Sequence, residues 1–268
     1  MKLKDKYTIE DLLEIIRRLR EPDGCPWDRV QTHQSIKKDL IEEAYEVIDA
    51  LDNKDDKMFA NELGDLFLQV AFHSVLAEER KAFDFDAVLK ELCDKLITRH
   101  THVFGESHAE NPEEALATWE ANKKKEKGQK SYSEIIKDIP KGLPALMSAE
   151  KVQKKAKRSG FDWDNTEDVF KKLREEIDEL EAAFNNESKE RVGEEYGDVL
   201  FSMVNLGRFL DVTPEIEMMA ATKKFTDRFC EMERLAEEKK CKLDELSLEE
   251  MNDLWERAKK NTKKLPNM

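Results

Sequence analysis

The sequence predicts an all-α chain built as two tandem, duplicated helical bundles. Three observations lead there: a composition rich in helix formers and poor in breakers, apolar periodicity of the helical kind, and a repeat of one half in the other. Of 268 residues, 9 are Gly and 7 are Pro, while 39% are hydrophobic and 40% charged. Few breakers among abundant Glu, Lys, Leu and Ala favour helix over strand. The charges are mixed in sign, so the load does not imply disorder.

The helices can be placed one by one. Thr8, ahead of "IEDLLEII", reads as an N-cap, and Ser247 with Glu250 fits a capping box. Leu173, Ile177, Leu180 and Phe184 follow at i, i+4, i+7 and i+11, one apolar stripe. Strand alternation is absent. The least regular stretch, about 105–148, contains "GESHAENPEE", "KKKEKGQKSYS" and "DIPKGLPAL". It reads as a connector. The expected domains are 1–125, a connector over 126–148, and 149–268.

The two halves repeat. "DLIEEAYEVIDALDNKDDKMFANELGDLFL" (39–68) aligns without a gap on "KLREEIDELEAAFNNESKERVGEEYGDVLF" (172–201), a constant offset of 133. Glu42, Glu43 and Glu46 fall on Glu175, Glu176 and Glu179; Glu62, Gly64 and Asp65 fall on Glu195, Gly197 and Asp198. With shifted offsets, Trp27-Asp28 is echoed by Trp163-Asp164, Lys95 and Arg99 by Lys224 and Arg228, and Trp119 and Lys123 by Trp255 and Lys259. What both copies keep is mostly polar.

Those polar positions have a chemical logic. Glu176 and Glu179 are i, i+3 on one helix, and Glu195 and Asp198 are i, i+3 on the next. The intervening "NNESKERVG" permits a reversal into an antiparallel hairpin. Four carboxylates then share one space, where mutual repulsion raises their pKa values. Hard divalent cations relieve it, and an all-oxygen set suits Mg²⁺ or Mn²⁺. Glu43, Glu46, Glu62 and Asp65 form the equivalent set in the first copy. A single E-x-x-E is ordinarily a solvated helix face; its duplication together with E-x-x-D favours metal. A di-iron bundle would place His at the i+3 positions, and none is present. His100, His102 and His108 suggest zinc, but they lack a fourth ligand and have no echo in the second half.

Cations complete the pattern. Lys224 and Arg228, like Trp255 and Lys259, are i, i+4 pairs. Arg and Lys can neutralise phosphate, and Trp can stack on a base; an exposed basic pair and a packed Trp are the plain alternatives. The net charge of −14 disfavours indiscriminate binding to nucleic acid or anionic membrane. It admits an anionic substrate if metal ions supply local positive charge. Four dispersed cysteines without C-x-x-C, a polar start, and no apolar run of spanning length lead to the expectation of a cytoplasmic protein with no membrane partner.

"GCPWDRVQTHQSI" (24–36), "LIEEAYEVIDAL" (40–51), "ELGDLFLQVAFH" (62–73) and "RHTHVFGE" (99–106) resemble the MazG nucleoside triphosphate pyrophosphohydrolases, over nearly the whole chain. The resemblance implies the all-α NTP pyrophosphatase fold, with its E-E-x-x-E and E-x-x-D marks. It implies Mg²⁺-dependent hydrolysis of many NTPs to NMP and pyrophosphate, serving nucleotide-pool control, by a homodimer whose C-terminal half is the catalytic one. Glu176, Glu179, Glu195 and Asp198 would then hold metal. Lys172, Lys224, Arg228, Trp255 and Lys259 would contact the nucleotide, with Lys224, Arg228 and Lys259 stabilising pyrophosphate. Glu175 or Glu176 would accept the proton of water. In the first copy, Asp39 stands opposite Lys172 and Lys38 lies one residue off, about 100° around the helix. A nucleotide-binding sensor or a helical interaction module with little turnover is the alternative reading.

Overall fold

The computed structural model describes residues 3–128 and 131–262, and among these no strand occurs. The chain divides into two compact units, one running through Lys123 and the other from Lys124.

The first unit is organised around a long hairpin. α1 (Ile9–Arg20) opens with a capping box between Thr8 and Asp11, where the threonine hydroxyl satisfies an amide that the helix itself cannot. A short α2 (Pro26–Arg29) leads to α3 (Lys37–Asn53) and α4 (Asp56–Glu79). α3 ends on Lys54 in the left-handed region (φ 55°), and Asp55 caps α4 by accepting from the Lys57 and Met58 amides. That pair of caps turns the chain back within two residues. Ile16 of α1 and Ala71, Phe72 and Val75 of α4 form the centre of the core, closed by Phe85 at the start of α5 (Phe85–Arg99). α6 (Thr101–Phe104) and α7 (Pro112–Glu126) follow.

The second unit repeats the hairpin. After α8 (Tyr132–Lys137) and α9 (Ala145–Lys157) come α10 (Thr166–Asn186) and α11 (Lys189–Phe209), then α12 (Pro214–Glu238) and α13 (Leu248–Thr262). α10 and α11 are joined by Glu187 and Ser188 alone, with Ser188 capping α11. The flanking residues expected in the reversal are helical, because one capped turn suffices. α12 and α13 bury a separate cluster of Met232, Leu235, Ala236, Leu254 and Ala258.

Within the stretch read as a connector, a capping box between Ser131 and Glu134 starts α8, Ile135 is buried, and the helix packs on α9. One expectation needs correction. The apolar stripe of α10 is only partly covered. Leu173 is buried, but Ile177 is 45% and Phe184 76% exposed. The face α10 buries runs through Val169, Leu173, Glu176 and Ala183 instead. Periodicity finds apolar positions but not which of them the same chain covers.

Candidate active site

α10 and α11 bring three of the four predicted second-copy acids together. Glu176, Glu179 and Glu195 each offer a carboxylate oxygen, and these lie within 4.8 Å of one another. Glu176 and Glu195 are buried, at 7% and 3% exposure. The spacing follows from the helices: i, i+3 on α10 sets one pair, and the antiparallel return of α11 sets the third acid opposite. Asp198, one turn further along α11, is exposed and lines the adjoining cleft with Glu176. Burial pushes the Glu195 carboxyl up, Arg191 pulls it back, and the charges of Glu179, Asp198 and Glu176 push it up again, with a net rise.

Two cations occupy this acidic space. Lys172 Nζ is 2.6 Å from Glu175 and 2.8 Å from Glu176, and those bonds hold its ammonium well above the usual lysine range. Arg191 pairs with Glu195, one turn away on α11. The set is therefore all-oxygen and partly buried, and Arg191 does not fully offset the repulsion at Glu195. Such a set can hold a hard divalent ion.

The first unit has the same arrangement with a different third member. Glu43, Glu62 and Asp65 offer oxygens within 4.8 Å of one another. Glu43 is pushed up by burial first, then by Glu46, Asp65 and Glu62. Glu46 is thus close in charge but outside the tight trio, as Asp198 is in the second unit.

A cleft of about 430 Å³ adjoins the second trio. Lys172, Glu176 and Asp198 line it, and Phe161, Trp163 and Phe201 bring aromatic surface to it. Neither Glu175 nor the predicted nucleotide contacts Lys224, Arg228, Trp255 and Lys259 line it. Trp255 lies against Phe225 at 5.1 Å between ring centroids and packs on the α12–α13 core. Lys259 is paired with Glu256, and Arg228 has a buried Nε without a partner. In the first unit the basic and aromatic echoes do meet: Arg99 and Lys123 lie 5.0 and 4.8 Å from the Trp119 ring centre.

Comparison with known proteins decides the family. Residues 31–104 match the MazG nucleotide pyrophosphohydrolase domain. The chain is 47% identical over 250 residues to the nucleoside triphosphate pyrophosphohydrolase/pyrophosphatase MazG of Thermotoga maritima, covering 93% of this chain and 95% of that one. The chain belongs to the MazG family. A second relative, the nucleoside triphosphate pyrophosphohydrolase of Escherichia coli K12, is 43% identical over 255 residues, 94% of this chain and 97% of its own. The uncharacterized protein YabN of Bacillus subtilis is 41% identical over 251 residues, and the match spans 51% of its length. Residues 143–228 of this MazG chain also match the phosphoribosyl-ATP pyrophosphohydrolase family. That match takes in α10 and α11 with all four acids of the second copy.

Sequence reasoning missed Arg191 and three further polar residues that line the cleft, Gln153, Asn205 and Arg208. The repeat could not point to them. At the offset of 133, Arg191 faces Met58, Asn205 faces Phe72 and Arg208 faces Val75. A signal did exist in α11 itself: Asn and Arg at i, i+3 in its apolar second half are unusual for a buried face.

Proposed function

We propose that the α10–α11 site hydrolyses nucleoside triphosphates between the α- and β-phosphates, releasing the monophosphate and pyrophosphate. The observation that carries this is the carboxylate trio, with Glu176 and Glu195 buried and Glu179 exposed, whose Glu176 lines a cleft that also offers Lys172, in a chain of the MazG family. Glu176, Glu179 and Glu195, with Asp198 at the rim, would hold Mg²⁺, with Mn²⁺ as the alternative. When bound, such an ion supplies charge against the triphosphate and acidifies water.

The chain's own groups do the rest. Lys172 exchanges its carboxylate partners for a phosphate oxygen. Glu175 is exposed and next to the trio, and it takes the proton of the attacking water. Lys224, Arg228, Trp255 and Lys259 do not line the cleft, so their proposed contact with the pyrophosphate and nucleotide comes from a second copy. The uncovered Ile177 and Phe184 on α10, with Leu200 and Met203 on α11, support a homodimer packed through this hairpin. A cytoplasmic location is supported by four free cysteines; no described helix is long and apolar enough to cross a membrane. Breadth across the nucleotides is part of the same proposal.

Product analysis with purified protein, Mg²⁺ and a panel of NTPs tests the reaction. Pyrophosphate and NMP are expected. Orthophosphate and NDP would overturn the regiochemistry.

A further inference from the structure

The loop between α9 and α10 carries two of the three aromatic side chains that line the α10–α11 cleft. Phe161 and Trp163 are both exposed, and Asp162 between them lines the same cleft. Connecting loops are ordinarily more mobile than the helices they join, and Asp162 ties this one down. Arg208 of α11, its side chain 5% exposed, donates Nη2 to Asp162 Oδ1 at 2.5 Å. The other cation near Asp162, Lys157 at 3.6 Å, is well exposed and adds little. A guanidinium this buried needs its carboxylate, so the pair fastens the loop to the helix.

The polar atoms around the pair are not offered to a ligand. Gln153 donates its amide to the Phe201 carbonyl at 2.8 Å, and Gln153 Oε1, Asn205 Oδ1 and the Nε and Nη1 of Arg208 are sealed from solvent. Beside Lys172, Glu176 and Asp198, the large surfaces of the cleft are therefore those of Phe161, Trp163 and Phe201.

We propose that Trp163 receives the nucleobase by stacking, and that Arg208, acting through Asp162, is a positioning residue for that ring. The assignment rests on the reading of the neighbouring carboxylates as a triphosphate site. Every base has a π-face, so stacking holds purines and pyrimidines without reading their edges. The wall thus gives breadth across the nucleotides a physical cause.

The first unit fastens its own Trp-Asp segment with a different arginine. Arg20 of α1, its side chain also buried, donates to the Asp28 and Gln31 carbonyls at 2.5 and 3.2 Å. Val75 stands where α11 has Arg208. Two arginines from unrelated positions hold the corresponding segment. What the copies share is the placement of the tryptophan, not one ion pair.

The test is steady-state kinetics of the full chain with Mg²⁺ for GTP, ATP, UTP and CTP, beside a thermal melt of each variant. Trp163→Leu is expected to raise KM about tenfold for all four with kcat within about twofold, and Trp163→Phe to keep most of the affinity. Asp162→Asn is expected to raise KM too, and to add nothing when combined with Trp163→Leu, because both act through one ring. Unchanged KM in Trp163→Leu, or a rise confined to one base, overturns the stacking role. Additive effects in the double variant overturn the positioning role. Should Asp162→Asn fail to fold, Arg208→Lys takes its place in the same cycle, and failure of both to fold makes the pair structural and overturns the positioning role. If no NTP is hydrolysed, the triphosphate reading fails on its own. In that case, or if Trp163→Leu does not fold, ¹⁹F NMR of fluorotryptophan-labelled protein with adenosine and with cytidine decides the wall. Movement, with both nucleosides, of the resonance that Trp163→Phe lacks supports it, and anything less overturns it.

Discussion

Lys172 Nζ lies 2.8 Å from the Glu176 carboxylate, one turn along α10, and the acid is 7% exposed. A buried carboxylate of this kind is stabilised by its one cation, and the two sit where phosphate would have to approach. Lys172→Met should therefore act on substrate and not merely on the fold. The expectation is a KM for NTP raised about tenfold, since loss of one charge-assisted contact is worth roughly 1.5–3 kcal/mol. Steady-state kinetics beside a thermal melt checks it. Unchanged KM with a large fall in Tm would make Lys172 structural only.

The two copies can be ranked by one comparison. Glu195→Gln and Glu62→Gln remove equivalent acids from the two trios. If the α10–α11 site turns over, Glu195→Gln lowers kcat at least 100-fold (an order-of-magnitude expectation), and Glu62→Gln lowers it little. The opposite ranking would move catalysis to α3–α4.

The carboxylates were legible because residue type and spacing together define them. Glu176, Glu179 and Glu195 needed only helical geometry and a reversal to be placed in one space, whereas Asp198, expected with them, lies outside the trio. The repeat supplied the reversal's location. The hairpin itself was legible for the same reason, though its turn is shorter than "NNESKERVG" suggested. The cleft was not legible. Gln153 arrives from α9, outside the repeat, and Asn205 and Arg208 stand where the twin helix has core residues. Nor could periodicity tell that Phe184 stays uncovered, because coverage depends on what packs against α10. The distant cations illustrate the same limit: order along the chain placed Lys224 and Arg228 after the acids, but α12 does not bring them to the cleft.

Mass action gives a metal prediction independent of turnover. A divalent ion that binds only the folded state stabilises it by about 2.7 kcal/mol at 100 times its Kd. Mg²⁺ should raise the Tm of the wild type by several degrees, on the order of 2–4 °C per kcal/mol for a unit of this size. The double variant Glu62→Gln, Glu195→Gln should lose most of that shift. A shift that survives intact in the double variant would place the ion elsewhere.

Glu231 ties α12 to α13. It takes two bonds from Arg234, at 2.6 and 2.7 Å, and one from Asn261 at 2.6 Å. Arg234 first, then Asn261, holds its carboxyl down at about 2, against an ordinary value of 4.5. A depressed carboxylate contributes stability that is complete above its unfolded value and lost as pH falls toward the folded one. Glu231→Gln should thus lower Tm by roughly 3 °C at neutral pH, a modest figure because Arg234 is half exposed. The gap should narrow below pH 4.5 and close near pH 2. A gap independent of pH would mean that packing, not charge, is what the substitution removes.

If the second copy supplies Lys224 and Arg228, inactive variants should rescue one another. Glu195→Gln lacks a carboxylate of the trio, and Lys224→Ala retains the trio but lacks the distant cation. Mixed and allowed to exchange subunits, they form heterodimers in which one site has Glu195 from one protomer and Lys224 from its partner. That site is whole, and the other carries both defects. With random exchange about half the dimers are mixed, each with one good site, so activity should recover to about one quarter of wild type. If both groups act within one protomer, no site in any dimer is whole and the mixture stays inactive. Recovery therefore requires the trans arrangement. Its absence, with subunit exchange verified by mass spectrometry, would send the role of Lys224 back to its own chain and demand that α12 move toward the α10–α11 cleft.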